Sequence, residues 1–352
     1  MAVTNDLVTD RRVMRHAGTL RGEGFEVLCI GRNDLGVRCK RGWLFYAEYN
    51  VRLWWRLLRT KADIVWANDT DTLLGCFMAA QMKRKKLVMD AHELFPEVPE
   101  LIGREWVKRV WENLERRLMP KCDALLTVCQ SIADYYKNRY GVEMEVVRNV
   151  PVMEAWQRGK VAERQSGERI LLYQGNVNKG RGVDWAIDAL EWLEDCELVV
   201  AGGGDLLEEM KDYAAGKPWA ERIRFLGRLM PEELERLTAK ASVGLVMLED
   251  MGLSYHFALP NRIGDFVAAG VPMVVSDLPE MSRVVREYGV GEVIEKPRDE
   301  RYETRVKGLA EAVERVLARE WTEADFEAAR RDMDWEKEKR KLMEMVDKMR
   351  ND

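Results

Sequence analysis

Cysteine is scarce in this 352-residue chain: six residues, at positions 29, 39, 76, 122, 129 and 196, with no Cys-x-x-Cys pair among them. That spacing offers neither a zinc cage nor a redox dithiol, and leaves the thiols as small packed hydrophobes. No apolar run approaches the ~18 residues that a membrane-spanning helix needs. The opening segment, MAVTNDLVTDRRVMRH, lacks the apolar centre of a signal peptide, so the expected location is the cytoplasm. Internal repeats and low-complexity tracts are missing. So is the dinucleotide fingerprint Gly-x-Gly-x-x-Gly: after Gly202 and Gly204 the third place is Leu207, which disfavours a nicotinamide dehydrogenase.

The remaining composition, 47% hydrophobic and 33% charged, is that of a globular protein long enough for two domains. A net charge of −5 conceals an asymmetry, since residues 1–150 carry +5 and residues 151–352 carry −10. The overall acidity argues against nucleic acid as a partner. The basic first half is compatible with an anionic membrane surface, which would place the protein peripherally at the inner membrane face.

Apolar, β-branched runs alternate with helical patterns. The expected strands are 25–31, 63–68, 86–91, 123–129 and 144–150, then 169–175, 197–203, 222–227, 242–248 and 272–277. Helical periods fill stretches such as 44–59, 103–119, 183–193, 205–215, 231–240 and 261–269. Near-continuous apolar strands followed by helices indicate parallel sheets covered on both faces, an α/β class with two doubly wound domains. We expect a Rossmann-like domain over 1–150, a linker over 151–168, a second domain over 169–330 and a terminal helix over 331–352. Only MAV precedes the polar TNDLVTD, so either the first sheet starts short or the true start lies upstream.

Open α/β sheets bind ligands beyond the carboxyl ends of their strands. In the second half those positions hold Gly175 to Gly182, with Lys179 and Arg181 inside the turn, then Gly202-Gly203-Gly204, Arg228, and the Pro260-Asn261-Arg262 segment. Either Gly-rich turn alone could simply join strand to helix. Two such turns with basic residues beside them point to a phosphate-bearing ligand. In the first half the corresponding places hold Asn68, Asp69, Thr70 and Asp71, then His92 and Glu93. Asp69-Thr70-Asp71 has the spacing of a metal–diphosphate motif, but a helix cap at Asn68 or Asp69, or an acceptor-side role, is the preferred reading. His16 lies in a helical pattern and is expected at the surface or in packing.

At these residues the chain resembles the GT-B glycosyltransferases, close to family 4. The similarity rests on YQGNVNKGRGVDWAIDAL (173–190), LVVAGGGDLLEEMK (198–211), RIRFLGRLMPEELERLTAKASVGLVML (222–248) and LPNRIGDFVAAGVPMVVSDLPEMSRVV (259–285), with WANDTDTLL, VMDAHELFPEVPEL and VVRNVP in the first half. The resemblance implies two Rossmann-like domains across a cleft, a retaining and metal-independent sugar transfer, and no cofactor. The nucleotide sugar is itself a substrate. It further implies that Gly175, Asn176, Lys179, Arg181, Gly203, Arg228, Asn261, Arg262 and Asp265 contact the donor, with Asp265 at the nucleotide ribose. His92 and Asp265 would be the catalytic residues, and Asn68 and Asp69 would lie on the acceptor side. Phe257 stands where the family carries a Glu.

The stretch Lys40–Lys61 is basic and aromatic. Read as a helix, it turns Leu44, Ala47, Val51, Trp54 and Leu58 to the core, and leaves Arg52, Arg56 and Arg59 with Phe45 and Tyr49 on a second face. That second face is either solvated or rests on anionic lipid. The leading functional expectation is transfer of a sugar from a nucleoside diphosphate to a saccharide or lipid-linked acceptor in cell-surface polysaccharide or glycolipid synthesis. A sugar-nucleotide epimerase of the same architecture and a non-catalytic sugar-nucleotide-binding subunit are the alternatives.

Overall fold

Runs of Val, Ile and Leu become parallel strands in two separate sheets. The computed structural model describes residues 1–5, 7, 10–39, 42–156, 169–295 and 301–351, so Lys40, Arg41 and most of the expected linker (157–168) lie outside the described residues. The chain divides into two units. The first comprises Met1–Asn149, Gly252–Ser254 and Glu338–Asp352; the second comprises Val150–Met251 and Tyr255–Lys337.

The first unit holds β1 (Ile64–Asn68), β2 (Lys86–Ala91), β3 (Ala124–Thr127) and β4 (Glu145–Val146), paired in that order and all parallel. Beyond β1 the start of the chain supplies a minimal strand. Ala2 bridges Ala67 on one side and Ile30 on the other, with the Ala2 N–H donating to Trp66 at 2.8 Å and the Val3 N–H to Ile30 at 3.1 Å. The expected strand at 25–31 is reduced to a bridge at Ile30, beside which the Met1 amino group donates to the Leu28 carbonyl at 2.8 Å and the Ile30 N–H donates to the Met1 carbonyl at 2.9 Å. Helices α1 (Arg11–Gly22), α2 (Gly42–Arg59), α3 (Thr70–Lys83), α4 (Glu105–Leu118) and α5 (Gln130–Tyr140) connect the strands.

The orientation of α2 is the reverse of the sequence expectation. Its buried side chains are Phe45, Tyr49, Leu53 and Leu57, one per turn, while Leu44, Ala47 and Val51 are exposed and Trp54 and Leu58 half-buried. Two apolar stripes compete on this helix, and polar contacts to α3 decide between them. Asn50 donates to the Asp71 carbonyl at 2.7 Å and accepts the Gly75 N–H at 2.8 Å, and the Tyr49 hydroxyl donates to the Val3 carbonyl at 2.7 Å. A Cβ on Gly75 would sit 2.8 Å from the Asn50 carbonyl oxygen, so the helices close to a distance that only glycine permits.

The second unit is a six-stranded parallel sheet: β5 (Arg169–Gln174), β6 (Cys196–Ala201), β7 (Ile223–Gly227), β8 (Val243–Val246), β9 (Met273–Ser276) and β10 (Gly291–Ile294), in spatial order β10-β9-β8-β5-β6-β7. The strand at 291–294 was not anticipated from the sequence. Sequence order runs outward in both directions from the β5/β8 pair, which makes that pair the topological switch point where a crevice opens. The β8 and β9 side chains are buried throughout, as expected for strands covered on both faces.

The helix Trp335–Asn351 belongs to the first unit from Glu338 onward. Glu338 is fully buried there. It accepts the Arg148 backbone N–H at 3.0 Å and pairs with the Arg148 guanidinium at 2.7 Å and Lys341 at 3.0 Å. Among the described residues no helix is long and apolar enough to cross a membrane.

Candidate active site

In the second unit, the switch point is occupied by Arg262. It lies in the first turn of the helix Asn261–Ala269, whose N-cap is Pro260. No side chain caps this helix start, and its first turn carries no acidic residue. The guanidinium is buried over the Tyr173 ring, 4.7 Å from its centroid, and one nitrogen, Nη1, donates to the Gln174 carbonyl at the end of β5, at 2.7 Å. Gly175 makes room for it: a Cβ there would come 3.3 Å from Nη1. The other two nitrogens, Nε and Nη2, are buried without a protein partner. Burial holds the Arg262 pKa below its ordinary value, and the charge of Arg181 acts in the same direction. Arg181 stacks on the Tyr255 ring at 4.7 Å, with its own Nε buried and unpartnered. Two guanidinium groups that repel each other and carry unused donors suit an anion with several oxygens.

The two Gly-rich turns pack on one another. The Gly175 N–H donates to Ala201 at 2.9 Å and the Val177 N–H to Gly203 at 2.8 Å. A Cβ on Gly202 would fall 1.8 Å from the Gly175 carbonyl oxygen, so this glycine serves the crossing of the two loops. Arg228 is exposed and lies against Gly203, where a Cβ would stand 3.0 Å from its Nε. Asn176, Lys179 and Asn261 are exposed at the same strand and helix ends; the Asn176 carbonyl accepts from the Tyr173 hydroxyl at 2.7 Å. Asp265, one turn after Arg262, is buried and accepts from the Gln174 amide at 2.9 Å, while Thr238 donates to that same Gln174 at 2.9 Å. His256 pairs with Asp250 at 3.0 Å.

The first unit carries a second polar cluster at the ends of β1 and β2. Asp90 is fully buried and binds Arg12 through two donors, Nη2 to Oδ1 at 2.6 Å and Nε to Oδ2 at 2.9 Å. Burial opposes its ionisation, but Arg12 and the neighbouring histidines outweigh that and hold the carboxyl well below the usual range. His92 is 16% exposed and lies between two carboxylates, Nδ1 3.3 Å from Asp69 and Nε2 3.5 Å from Asp90. Burial disfavours its charge; the Asp69 and Asp90 charges prevail and raise its pKa to about 9. His16 faces the same Asp90 at 3.3 Å, but burial and Arg12 lower its pKa to about 4. One carboxylate thus serves a charged and a neutral imidazole.

Asp69 turns away from the helix it precedes. Its backbone is in the left-handed region (φ 61°) and its side chain, which makes no cap hydrogen bond, accepts the His92 N–H at 2.7 Å. The expected cap at this position is therefore not made. Asn68 is fully buried and donates to the Ala2 carbonyl at 2.8 Å, which ties down the start of the chain. Asp71 accepts from Thr4 at 2.5 Å, and burial with the nearby Asp69 charge pushes its pKa up to about 8. A carboxyl kept neutral at pH 7 is a poor ligand for a hard cation. No group of three or more metal-ligating side chains occurs among the described residues.

Arg12, His16 and Asp90 were not anticipated as members of this cluster. His16 was expected at the surface or in packing and is fully buried against Asp90. The available signal was the position of Asp90, two residues before His92 at the end of an apolar strand.

Two family models match the chain. That of glycosyltransferase family 4 covers residues 10–151, and that of the group 1 glycosyl transferases covers residues 168–319. The phosphatidyl-myo-inositol mannosyltransferase of Mycobacterium leprae is 29% identical over 161 residues, which is 44% of this chain and 38% of that protein. The chain spans well under half the length of the curated relatives it matches. Among solved structures, sucrose-phosphate synthase from Thermosynechococcus elongatus superposes with a TM-score of 0.72 at 16% identity over 96% of this chain and 92% of that one. Anabaena Alr3699/HepE in complex with UDP-glucose superposes with a TM-score of 0.73 at 13% identity over 99% and 98%. At such identities the structural likeness speaks for the fold, two parallel-sheet α/β domains of GT-B type.

Proposed function

The chain belongs to the GT-B glycosyltransferases that the family 4 and group 1 models describe, and from that premise we propose that it moves a sugar, with retention of configuration, from a nucleoside diphosphate to a saccharide or lipid-linked acceptor. The observation that carries this reading is Arg262, a buried cation at the switch point with two donors unused and a second guanidinium nearby. Cleavage of a sugar–phosphate bond leaves positive character on the sugar and new negative charge on the departing diphosphate. Arg262, Arg181 and the uncapped start of the helix Asn261–Ala269 are placed to stabilise that charge. Fixed guanidinium groups do the work that a metal does elsewhere, so neither metal nor cofactor is required. Asp265 and the Gly-rich turns complete the donor side, and Asp265 takes the ribose.

His92 enters this scheme as an imidazolium, since its two carboxylate neighbours keep it protonated at neutral pH. It orients and polarises the transferred sugar; it does not act as a lone base. The workplace that fits a lipid-linked acceptor is the inner membrane face, reached from the cytoplasm, and the product would serve surface polysaccharide or glycolipid assembly.

The test is titration calorimetry with UDP, GDP and ADP, followed by donor turnover with a panel of acceptors. UDP comes first, because the Anabaena neighbour was solved with UDP-glucose. One nucleotide should bind, and its sugar ester should release it only when an acceptor is added. Binding of no nucleoside diphosphate, or a free epimer as product, overturns the proposal.

A further inference from the structure

Apolar side chains on a water-facing surface are ordinarily scattered singly. Here they gather. Of eighteen large hydrophobic residues exposed among the described residues, ten lie between Trp43 and Val110, in the first unit. On α2 they are Trp43 (69% exposed), Leu44, Val51 and Trp55 (53%). The outward line of α3, one residue per turn, is Leu74, Met78 and Met82, with no charged residue on that side. On α4 they are Trp106 (66%) and Val110. At ~250 Å² for a whole tryptophan, the three indoles alone expose on the order of 450 Å².

These helices are neighbours on one face of the sheet. Each is the crossover between successive parallel strands stepping in one direction, from Ile30 to β1, β2 and β3, and right-handed crossovers then fall on the same side. α2 meets α3 at Asn50 and Gly75, and α3 meets α4 where Thr70 donates to Glu115 at 2.6 Å. Tyr46 of α2 also touches Trp111 of α4, ring centroids 5.0 Å apart. The charge on this face is predominantly positive. The exposed charged residues of the three helices are Arg56, Arg59, Arg109, Arg116 and Arg117 against Glu105. Arg59 stacks on Trp55 at 3.8 Å, so cation and indole are presented together.

We infer that the α2–α3–α4 face is a docking surface for an anionic phospholipid bilayer. Tryptophans settle at headgroup depth, aliphatic side chains reach the acyl boundary, and arginines pair with lipid phosphates. A second copy of the chain is a poorer occupant, because a two-fold pairing would set five arginines against the same five. Leu44 and Val51, which the sequence reading turned to the core, lie on this face instead. This inference deepens the lipid-linked-acceptor reading and rests on it for its purpose, while its observations are independent of the donor site.

The test is sedimentation of the full chain with vesicles of phosphatidylcholine containing 30% phosphatidylglycerol, beside vesicles of phosphatidylcholine alone. Binding to the anionic vesicles should be at least tenfold tighter, and 0.5 M salt should weaken it at least tenfold. Two variants carry the argument: Trp43→Ser/Trp55→Ser/Trp106→Ser removes the indoles, and Arg56→Glu/Arg59→Glu/Arg109→Glu reverses the charge. Each should lose at least tenfold in vesicle affinity while keeping wild-type circular dichroism and nucleotide binding. Wild-type protein that ignores anionic vesicles in low salt overturns the inference, as do two folded variants that bind like wild type. Self-association abolished by the indole variant, with no vesicle binding, assigns the face to a second copy instead. Turnover with a soluble acceptor separates the two readings. Vesicle binding without nucleotide turnover sinks the transferase alone, and turnover without vesicle binding sinks the docking surface alone.

Discussion

Replacing Arg262 by methionine separates a ligand-binding cation from a structural one. The side chain keeps an unbranched stem to pack on Tyr173, but loses the charge and its bond to the Gln174 carbonyl. In the free protein two effects oppose each other. A carbonyl loses its donor, and a buried cation repelled by Arg181 is relieved of its desolvation cost. Their near cancellation leaves the free variant within about 1 kcal/mol of wild type. The bound state is different, because Nε and Nη2 are unpartnered in the protein and, under the proposed function, are the donors that meet the diphosphate. Charge-assisted bonds contribute about 1.5–3 kcal/mol each, so the loss is about 3 kcal/mol, or on the order of 100-fold in affinity. Thermal melting reads this directly. At 100 times the wild-type Kd a ligand stabilises by about 2.7 kcal/mol, whereas a variant weakened 100-fold gains about 0.4 kcal/mol at the same concentration. The nucleotide-induced rise in Tm, roughly 5–10 °C in wild type, should shrink to about 1 °C. A variant that retains the full rise, or one whose free form is several kcal/mol less stable, refutes the assignment.

Further outcomes are expected at three residues. The raised His92 pKa means that its pairing contributes fully below the unfolded value of ~6.5 and is lost as pH climbs through about 9. Melting curves from pH 7 to 10 should therefore fall more steeply in wild type than in His92→Gln, and His92→Ala should cut turnover more than donor affinity. For Asp71 the sign is opposite: ionisation disfavours the native state increasingly as pH rises from ~3.9 toward about 8. Asp71→Asn should accordingly gain in stability relative to wild type between pH 5 and pH 9, and turnover should persist in EDTA; loss of activity restored by a divalent cation would make the Asp69–Asp71 pair a metal site after all. Glu338→Ala removes the buried carboxylate that pairs with the half-buried Arg148 and with Lys341, so urea unfolding should show a loss of about 3 kcal/mol.

Much of the strand order was legible because both sheets are covered on two faces, which writes each strand as a short apolar run. The misses have physical causes. Residues 25–29 have strand composition, but their pairing is limited to the contacts that Met1 and Ala2 make with Leu28 and Ile30, and no ladder forms there. α2 carries two apolar stripes, and periodicity cannot choose between them; the choice was made by Asn50 and Gly75, a tertiary contact. The basic residues of the donor turns could be read from their positions after strands. In the Arg12–Asp90–His16 cluster only Asp90 carried a signal, its place at a strand end, because the other two members join from a helix 78 residues away in sequence.

The helix segment that begins at Glu338 closes the first unit, yet 188 residues, nearly all of them in the second unit, separate it from Asn149. During synthesis at ~5–20 residues per second, the opening sheet waits roughly 10–40 s for it. Over that interval the Arg148 guanidinium is without its carboxylate and the β4 side of the sheet without its cover. A ribosome-bound nascent chain should therefore reach protease resistance in its opening half only once Glu338–Asp352 has emerged, later than the downstream sheet does.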